Sequence, residues 1–170
     1  AMDEFLSLAY HKEHNLEVVV CRFFNTVGPH QLSKYGMVIP NFVEQALKGE
    51  NIRVFGDGMQ QRSFMHVNDV IRAVTGLMND DTAMGKVFNI GNPFEITINH
   101  LAQRVIELVG SDSQIEHIPY EEAYGKGFED MRRRTADISK LRAQLNFEIE
   151  YELDDILNDV IAFKRKSLQP

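Results

Sequence analysis

The strongest chemical handles in this sequence are arginines. Arg62 stands just after a tight Gly-Asp-Gly turn in FGDGMQQRSF, at the mouth of a short apolar stretch, and Arg132, Arg133 and Arg134 follow one another in FEDMRRRTADI. A guanidinium presents a planar fork of N–H donors that matches a phosphate bidentately, so an arginine at a strand end can hold an anion. Spacing alone leaves Arg62 open between such a clamp and a solvated surface residue, and favours the surface. For the run of three the default is a solvated basic face, and the neighbouring Glu129 and Asp130 argue against a nucleic-acid patch. The Gly-x-Gly of FGDGMQQ is not read as a dinucleotide loop. Such a loop needs Gly-x-Gly-x-x-Gly between a strand and a helix, whereas here Gln61 stands at the third glycine and an extended segment follows. A tight hairpin turn is expected instead.

The remaining reactive residue types offer less. Among six scattered histidines, His11 and His14 share a helix face, but no third ligand has suitable spacing, and no metal site is expected. There is no Gly-x-Ser-x-Gly, no His-Glu-x-x-His and no Cys–His pair, so no catalytic residue is expected. The one cysteine, Cys21, lies in an apolar strand and is expected to be a buried, inert thiol. It excludes an intrachain disulfide and fits a reducing, cytoplasmic compartment. A net charge of -7 argues against broad nucleic-acid binding while leaving room for a small anion held locally. No signal peptide and no apolar run of membrane-spanning length is found, so no membrane partner is expected.

With 170 residues, 44% of them hydrophobic, the chain can build one core. Its patterning alternates strands and helices, the α/β signature. An opening helix carries Phe5, Leu6, Leu8 and Ala9 as an apolar face but has no capping residue ahead of it. EVVVCRF then reads as a strand buried on both faces, NTVGPHQLSKYG as a loop, and VIPNFVEQALKG as a helix with Pro40 near its start and Gly49 at its end. IRVF and RSFMHV read as strands. NDVIRAVTGLMND reads as a helix capped by Asn68 that turns Val70, Ile71, Val74, Leu77 and Met78 to the core. KVFNIG is a strand, TINHLAQRVIELVG a helix from Thr97 to Gly110, IEHIP a short strand, and DISKLRAQLN a helix that Asp137 could cap. ELDDILNDVIAFKRK closes the chain with acids at its start and bases at its end. Residues 110–134 have the weakest pattern and are expected to wrap a surface or a ligand.

RFFNTVGP, followed by VIPNFVEQALKGENIRVFGDGMQQRSFMHVNDV, NIGNP and DMRRRTADISKLRAQLNFE, resembles the extended short-chain dehydrogenase/reductase family. These are NAD-dependent nucleotide-sugar epimerases, dehydratases and decarboxylases, and the likeness is greatest to UDP-glucose 4-epimerase-like and UDP-glucuronate decarboxylase-like members. The motifs occur in order over nearly the whole chain. The resemblance implies an α/β fold made of the C-terminal part of a Rossmann-type sheet plus a small α/β substrate-binding lobe, with the N-terminal NAD-binding half absent. Residues 1–37 would be the remnant of the Rossmann half, and 38–170 the substrate lobe with an interleaved sheet-completing strand. The opening helix would then continue the one that carries the family's Tyr-x-x-x-Lys, and roughly 150 residues, about one domain, would be missing. NAD would serve the parent family, with none expected to bind this chain alone. The chain alone is expected to be inactive and to self-associate. The competing expectation is a free-standing, non-enzymatic nucleotide-sugar-binding or association module.

The resemblance also implies a site. Asn25 matches the asparagine that hydrogen-bonds the nucleotide sugar near its diphosphate, and Phe23 the aromatic residue beside the nicotinamide. Arg62 matches the arginine on the diphosphate, and Arg134, with Arg133 as runner-up, the second phosphate arginine. Val38, Phe42 and Phe55 fall where the family surrounds the base. The sequence departs from the family at Val27, where tyrosine is common, at Ser63 in place of Asp beside Arg62, at Ala136 in place of Pro, and at Asn146 and Ile149 in place of Gly and Pro. The last two are expected on the outer face of the fold.

Overall fold

A computed structural model describes residues 2–33, 37–125, 127 and 130–168. Helix α1 (Met2–His14) leads into β1 (Val20–Phe23) and the two-residue β2 (Thr26–Val27). Then come α2 (Val38–Leu47), β3 (Ile52–Phe55), β4 (Gln61–Arg62), β5 (Met65–His66) and α3 (Val67–Met78). Strands β6 (Val87–Ile90) and β7 (Ile96–Thr97) precede α4 (Ile98–Val109), β8 (Ile115–Ile118), α5 (Tyr120–Tyr124), β9 (Arg133–Arg134), α6 (Ser139–Leu145) and α7 (Leu153–Leu168). The expected α/β alternation is present, with mostly parallel pairing: β1 with β6, β2 with β5, β3 with β8 and β4 with β9, while β4 also takes β7 antiparallel.

Two apolar cores separate the molecule into layers. One gathers Ile39, Phe42 and Val43 of α2, Ile52 and Val54 of β3, Leu101 and Val105 of α4, and Ile156, Leu157, Val160 and Ile161 of α7. The other gathers Met65, Leu77 of α3, Phe88 and Ile90 of β6, Ala136, Ile138 and Leu141 of α6, and Phe147. The helix ends follow from local chemistry. Thr97 Oγ1 accepts the amide of His100 at 3.2 Å to start α4, and Gly110 stops it in the left-handed region at φ 71°. Asp137 Oδ1 accepts the Ser139 amide at 2.9 Å just ahead of α6, but the capping position is Ile138, whose side chain makes no such bond.

Several expectations are corrected. The apolar face of α1 is not covered: helix α1 buries no residue, and Met2 and Phe5 are 82% and 73% exposed. The strand in EVVVCRF is shorter than read and only half-buried, with Arg22 and Phe23 exposed, because β6 flanks it on one side only among the described residues. Cys21 is accordingly half-buried rather than buried, and this partial burial pushes its thiol up. RSFMHV is two bridges rather than one strand, and the Gly-Asp-Gly turn joins no hairpin, since β3 pairs with β8 and not with β4. Helix α3 is capped by His66, whose Nδ1 accepts the Asn68 amide at 3.1 Å, rather than by Asn68. Its inner face holds Asp69 and Ala73 beside Val70 and Leu77, while Ile71 and Met78 point outward. Ile149 packs partly against the second core instead of lying on the outer face. Glu129 lies outside the described residues.

Candidate functional site

The strand pairing of β4 decides the site. Arg62 on β4 and Arg134 on β9 are register partners on adjacent parallel strands, so segments more than seventy residues apart in sequence deliver two guanidinium groups side by side. They open onto a cleft of about 690 Å³. Its apolar wall is made by Val38 and Phe42 of α2, Phe55 of β3 and Phe64, and its polar groups include Asn25, Gln31, Asn41, Gln45, Arg53 and Gln60. Arg62 is not the surface arginine favoured by spacing: its side chain is 12% exposed.

The two arginines are held differently. Arg62 donates from Nη2 to Asp130 Oδ1 at 2.7 Å and from Nη1 to the Gln61 carbonyl at 2.8 Å. Tyr120 donates its hydroxyl to the other Asp130 oxygen at 2.9 Å and accepts from Gln60 Nε2 at 3.0 Å. Burial, then the hydrogen bond to Asp130, push the Tyr120 phenol up to about 12, so it stays a proton donor at neutral pH. Gly56 makes room for this ring, since a Cβ there would overlap it. Arg134 instead donates from Nη2 to Asn25 Oδ1 at 2.7 Å, and Asn25 in turn donates from Nδ2 to the Ser63 carbonyl at 2.8 Å. Arg132 and Arg133 belong elsewhere: Arg132 pairs with Asp57 at 2.7 Å and Arg133 with Glu95 at 2.7 Å.

Of the residues expected at a site, the fold thus brings Asn25, Val38, Phe42, Phe55, Arg62 and Arg134 to one cleft. It does not bring Arg133 or Phe23, and Phe23 is 57% exposed at the end of β1. Sequence reasoning missed Tyr120 and Asp130, which lie in the weakly patterned stretch, and also Gln60 and Arg53. Ser63, which replaces a carboxylate, is buried with no partner for its hydroxyl among the described residues; the carboxylate on Arg62 comes from Asp130.

The sequence holds no Gly-x-x-Gly-x-x-Gly, and the strand-to-helix junctions β5–α3 and β7–α4 run on with no glycine between strand and helix. Among the described residues no group of three or more metal-ligating side chains could hold a metal ion. No helix among them is long and apolar enough to cross a membrane.

Comparison with known proteins adds the following. Residues 2–91 match the model of the NAD dependent epimerase/dehydratase family. The chain is similar to a UDP-N-acetyl-alpha-D-glucosaminuronate decarboxylase of Bacillus cytotoxicus, at 35% identity over 97% of this chain and 51% of that protein. It is also similar to UDP-glucuronic acid decarboxylase 1 of Xenopus tropicalis, at 36% identity over 98% of this chain and 38% of the relative. Among solved structures, a UDP-glucose 4-epimerase of Thermotoga maritima, determined with UDP-glucose, superposes with a TM-score of 0.87 at 31% identity, covering 99% of this chain and 52% of that one. The chain therefore spans about half the length, or less, of the curated relatives it matches.

Proposed function

The chain belongs to the NAD dependent epimerase/dehydratase family, and from that premise we propose that its cleft binds the nucleotide diphosphate of a nucleotide sugar, with UDP as the nucleotide. The observation that carries this reading is the register pairing of Arg62 with Arg134 beside an apolar wall. Two cations from separate strands offset the charge of a diphosphate, and Val38, Phe42 and Phe55 cover a base. UDP is the nucleotide named in the relatives above. In this reading residues 1–37 are the remnant of a dinucleotide-binding half, and residues 38–170 are the substrate lobe, whose β6 returns to pair with β1.

The cleft binds and orients; it does not react. The sequence has no Tyr-x-x-x-Lys and no glycine-rich NAD loop, so this chain supplies neither an activated tyrosine nor a hydride acceptor. Phe23 is the residue it would turn toward a nicotinamide held by another segment. The exposed apolar residues of α1 are the surface on which two copies would associate.

Calorimetric titration with UDP, and with NAD in parallel, tests the reading. UDP binding without NAD binding is expected, and Arg62→Ala should abolish it; absence of UDP binding overturns the assignment. Epimerase, dehydratase or decarboxylase activity in the pure chain would overturn the inactivity. A monomer in sedimentation at micromolar concentration would overturn the association.

A further inference from the structure

Arg53 differs from the other arginines of the chain. Each of the others donates to a carboxylate, a side-chain amide or a backbone carbonyl, whereas among the described residues the Arg53 guanidinium has no such partner. It nevertheless lines the cleft. Strand β3 alternates: Ile52 and Val54 are buried in the core, so Arg53 and Phe55 leave by the opposite face. Arg53 thus stands about 7 Å along the strand from the Phe55 position. Gln45 also lines this part of the cleft, from the face of α2 that carries Val38 and Phe42 at helical spacing. Gln45 Oε1 accepts the Arg53 backbone amide at 3.2 Å. A backbone N–H can only donate, so this bond fixes the Gln45 oxygen on the strand and leaves its Nε2 as a donor. The side chains of Arg53 and Gln45 therefore offer donors to whatever lies beside Phe55.

We infer that Arg53 is a specificity-determining residue at the base end of the cleft, where its guanidinium donates to a ring carbonyl and so selects uracil or thymine over cytosine. The inference rests on the reading of the cleft as a nucleoside-diphosphate site with Val38, Phe42 and Phe55 against the base. Uracil and thymine carry an oxygen acceptor at C4, where cytosine carries an amino donor on a ring of nearly the same shape. A guanidinium donates and never accepts. Set against the cytosine amino group, it leaves donors unpaired on both sides, and a site built to hydrogen-bond one group discriminates against an analogue that lacks it. Arg62 and Arg134 cannot make this distinction, because the diphosphate is the same in both nucleotides.

The test is calorimetric titration with UDP and CDP, on the unaltered chain and on Arg53→Ala. The unaltered chain should bind UDP about tenfold more tightly than CDP, the effect of one charge-assisted hydrogen bond from an exposed group. Arg53→Ala should remove that advantage by weakening UDP and leaving CDP as it was. CDP binding, carried by the diphosphate, also reports that the variant folds its cleft. Equal losses for UDP and CDP would show that Arg53 acts through charge alone and would overturn the inference. Equal affinities for the two in the unaltered chain, or a preference for UDP that survives Arg53→Ala, would overturn it too. In each of these cases the diphosphate reading stands. A chain that binds neither nucleotide overturns that reading and the inference with it.

Discussion

Replacing Asp69 should destabilise this fold more than any single change at its surface. The side chain is fully buried at the start of α3. Its Oδ1 accepts from Arg72 at 2.6 Å and from the Glu150 amide at 3.3 Å, and its Oδ2 accepts from the Tyr151 amide at 3.2 Å. It therefore ties α3 to the segment between α6 and α7, where Tyr151 stacks on His66 with ring centroids 4.1 Å apart. Two backbone bonds to a carboxylate, both long, are worth about 1.5 kcal/mol each. The Arg72 pair adds only about 1 kcal/mol, because Arg72 is partly exposed and keeps the Glu148 carbonyl and Glu150 as partners. Asp69→Ala should thus lose about 4 kcal/mol, a large share of the stability of a domain this size. Asp69→Asn, which retains one acceptor, should lose about half as much. Urea unfolding at 25 °C, followed by circular dichroism, measures both, with a fall in Tm of about 10 °C as the companion readout for Asp69→Ala. A loss below about 1 kcal/mol for Asp69→Ala, at unchanged m-value, would refute the hub and show that the two amides find water instead.

Hydrogen bonds from Lys48, Ser33 and Lys164 lower the Glu44 carboxyl from 4.5 to about 2. Because the folded value is the lower one, its contribution is present above about pH 4.5 and is lost as pH falls toward 2. Glu44→Gln should flatten that acid limb in unfolding experiments from pH 5 to 2, and an unchanged limb would refute the assignment. The Tyr120 phenol, raised to about 12, contributes stability in full below pH 10 and loses it as pH climbs to 12. In an ultraviolet phenolate titration one late tyrosine step should therefore disappear in Tyr120→Phe. Asn146 ends α6 at φ 50°, so Asn146→Gly should raise stability by about 0.5 kcal/mol and Asn146→Ala should lower it, both read as shifts in the urea midpoint.

What the sequence disclosed was whatever is encoded within a few neighbouring residues. Helix α4 is bracketed by Thr97 and Gly110, and its apolar stripe of Ile98, Leu101, Ala102 and Val105 is the buried one. Strands β3 and β8 are short segments that appear where expected. Bridges of two residues, such as β2, β7 and β9, have no periodicity to read. RSFMHV looks continuous, but the Ser63 carbonyl is taken by the Asn25 side chain and the strand breaks there. In α3 the expected apolar stripe ran through Ile71 and Met78, whereas a buried carboxylate with long-range partners turned Asp69 inward. The candidate site divides the same way. Asn25, Arg62 and Arg134 are legible through motifs that resemble those of a known family, whereas Tyr120 and Asp130 meet Arg62 only because β4 pairs with β9.

Three consecutive arginines make an ambiguous address. Slide β9 by one residue against β4, and Arg133 instead of Arg134 falls opposite Arg62, with the same charge and the same side chain. Composition cannot tell the two frames apart, and neither can net electrostatics. Here the ambiguity is resolved by three keys of different shape. Asp57 fits Arg132, Glu95 fits Arg133, and the uncharged amide of Asn25 is left for Arg134. The acids act as a reading frame: Asp57 and Glu95 occupy the two neighbouring cations, and the third of three identical side chains is the one that lines the cleft.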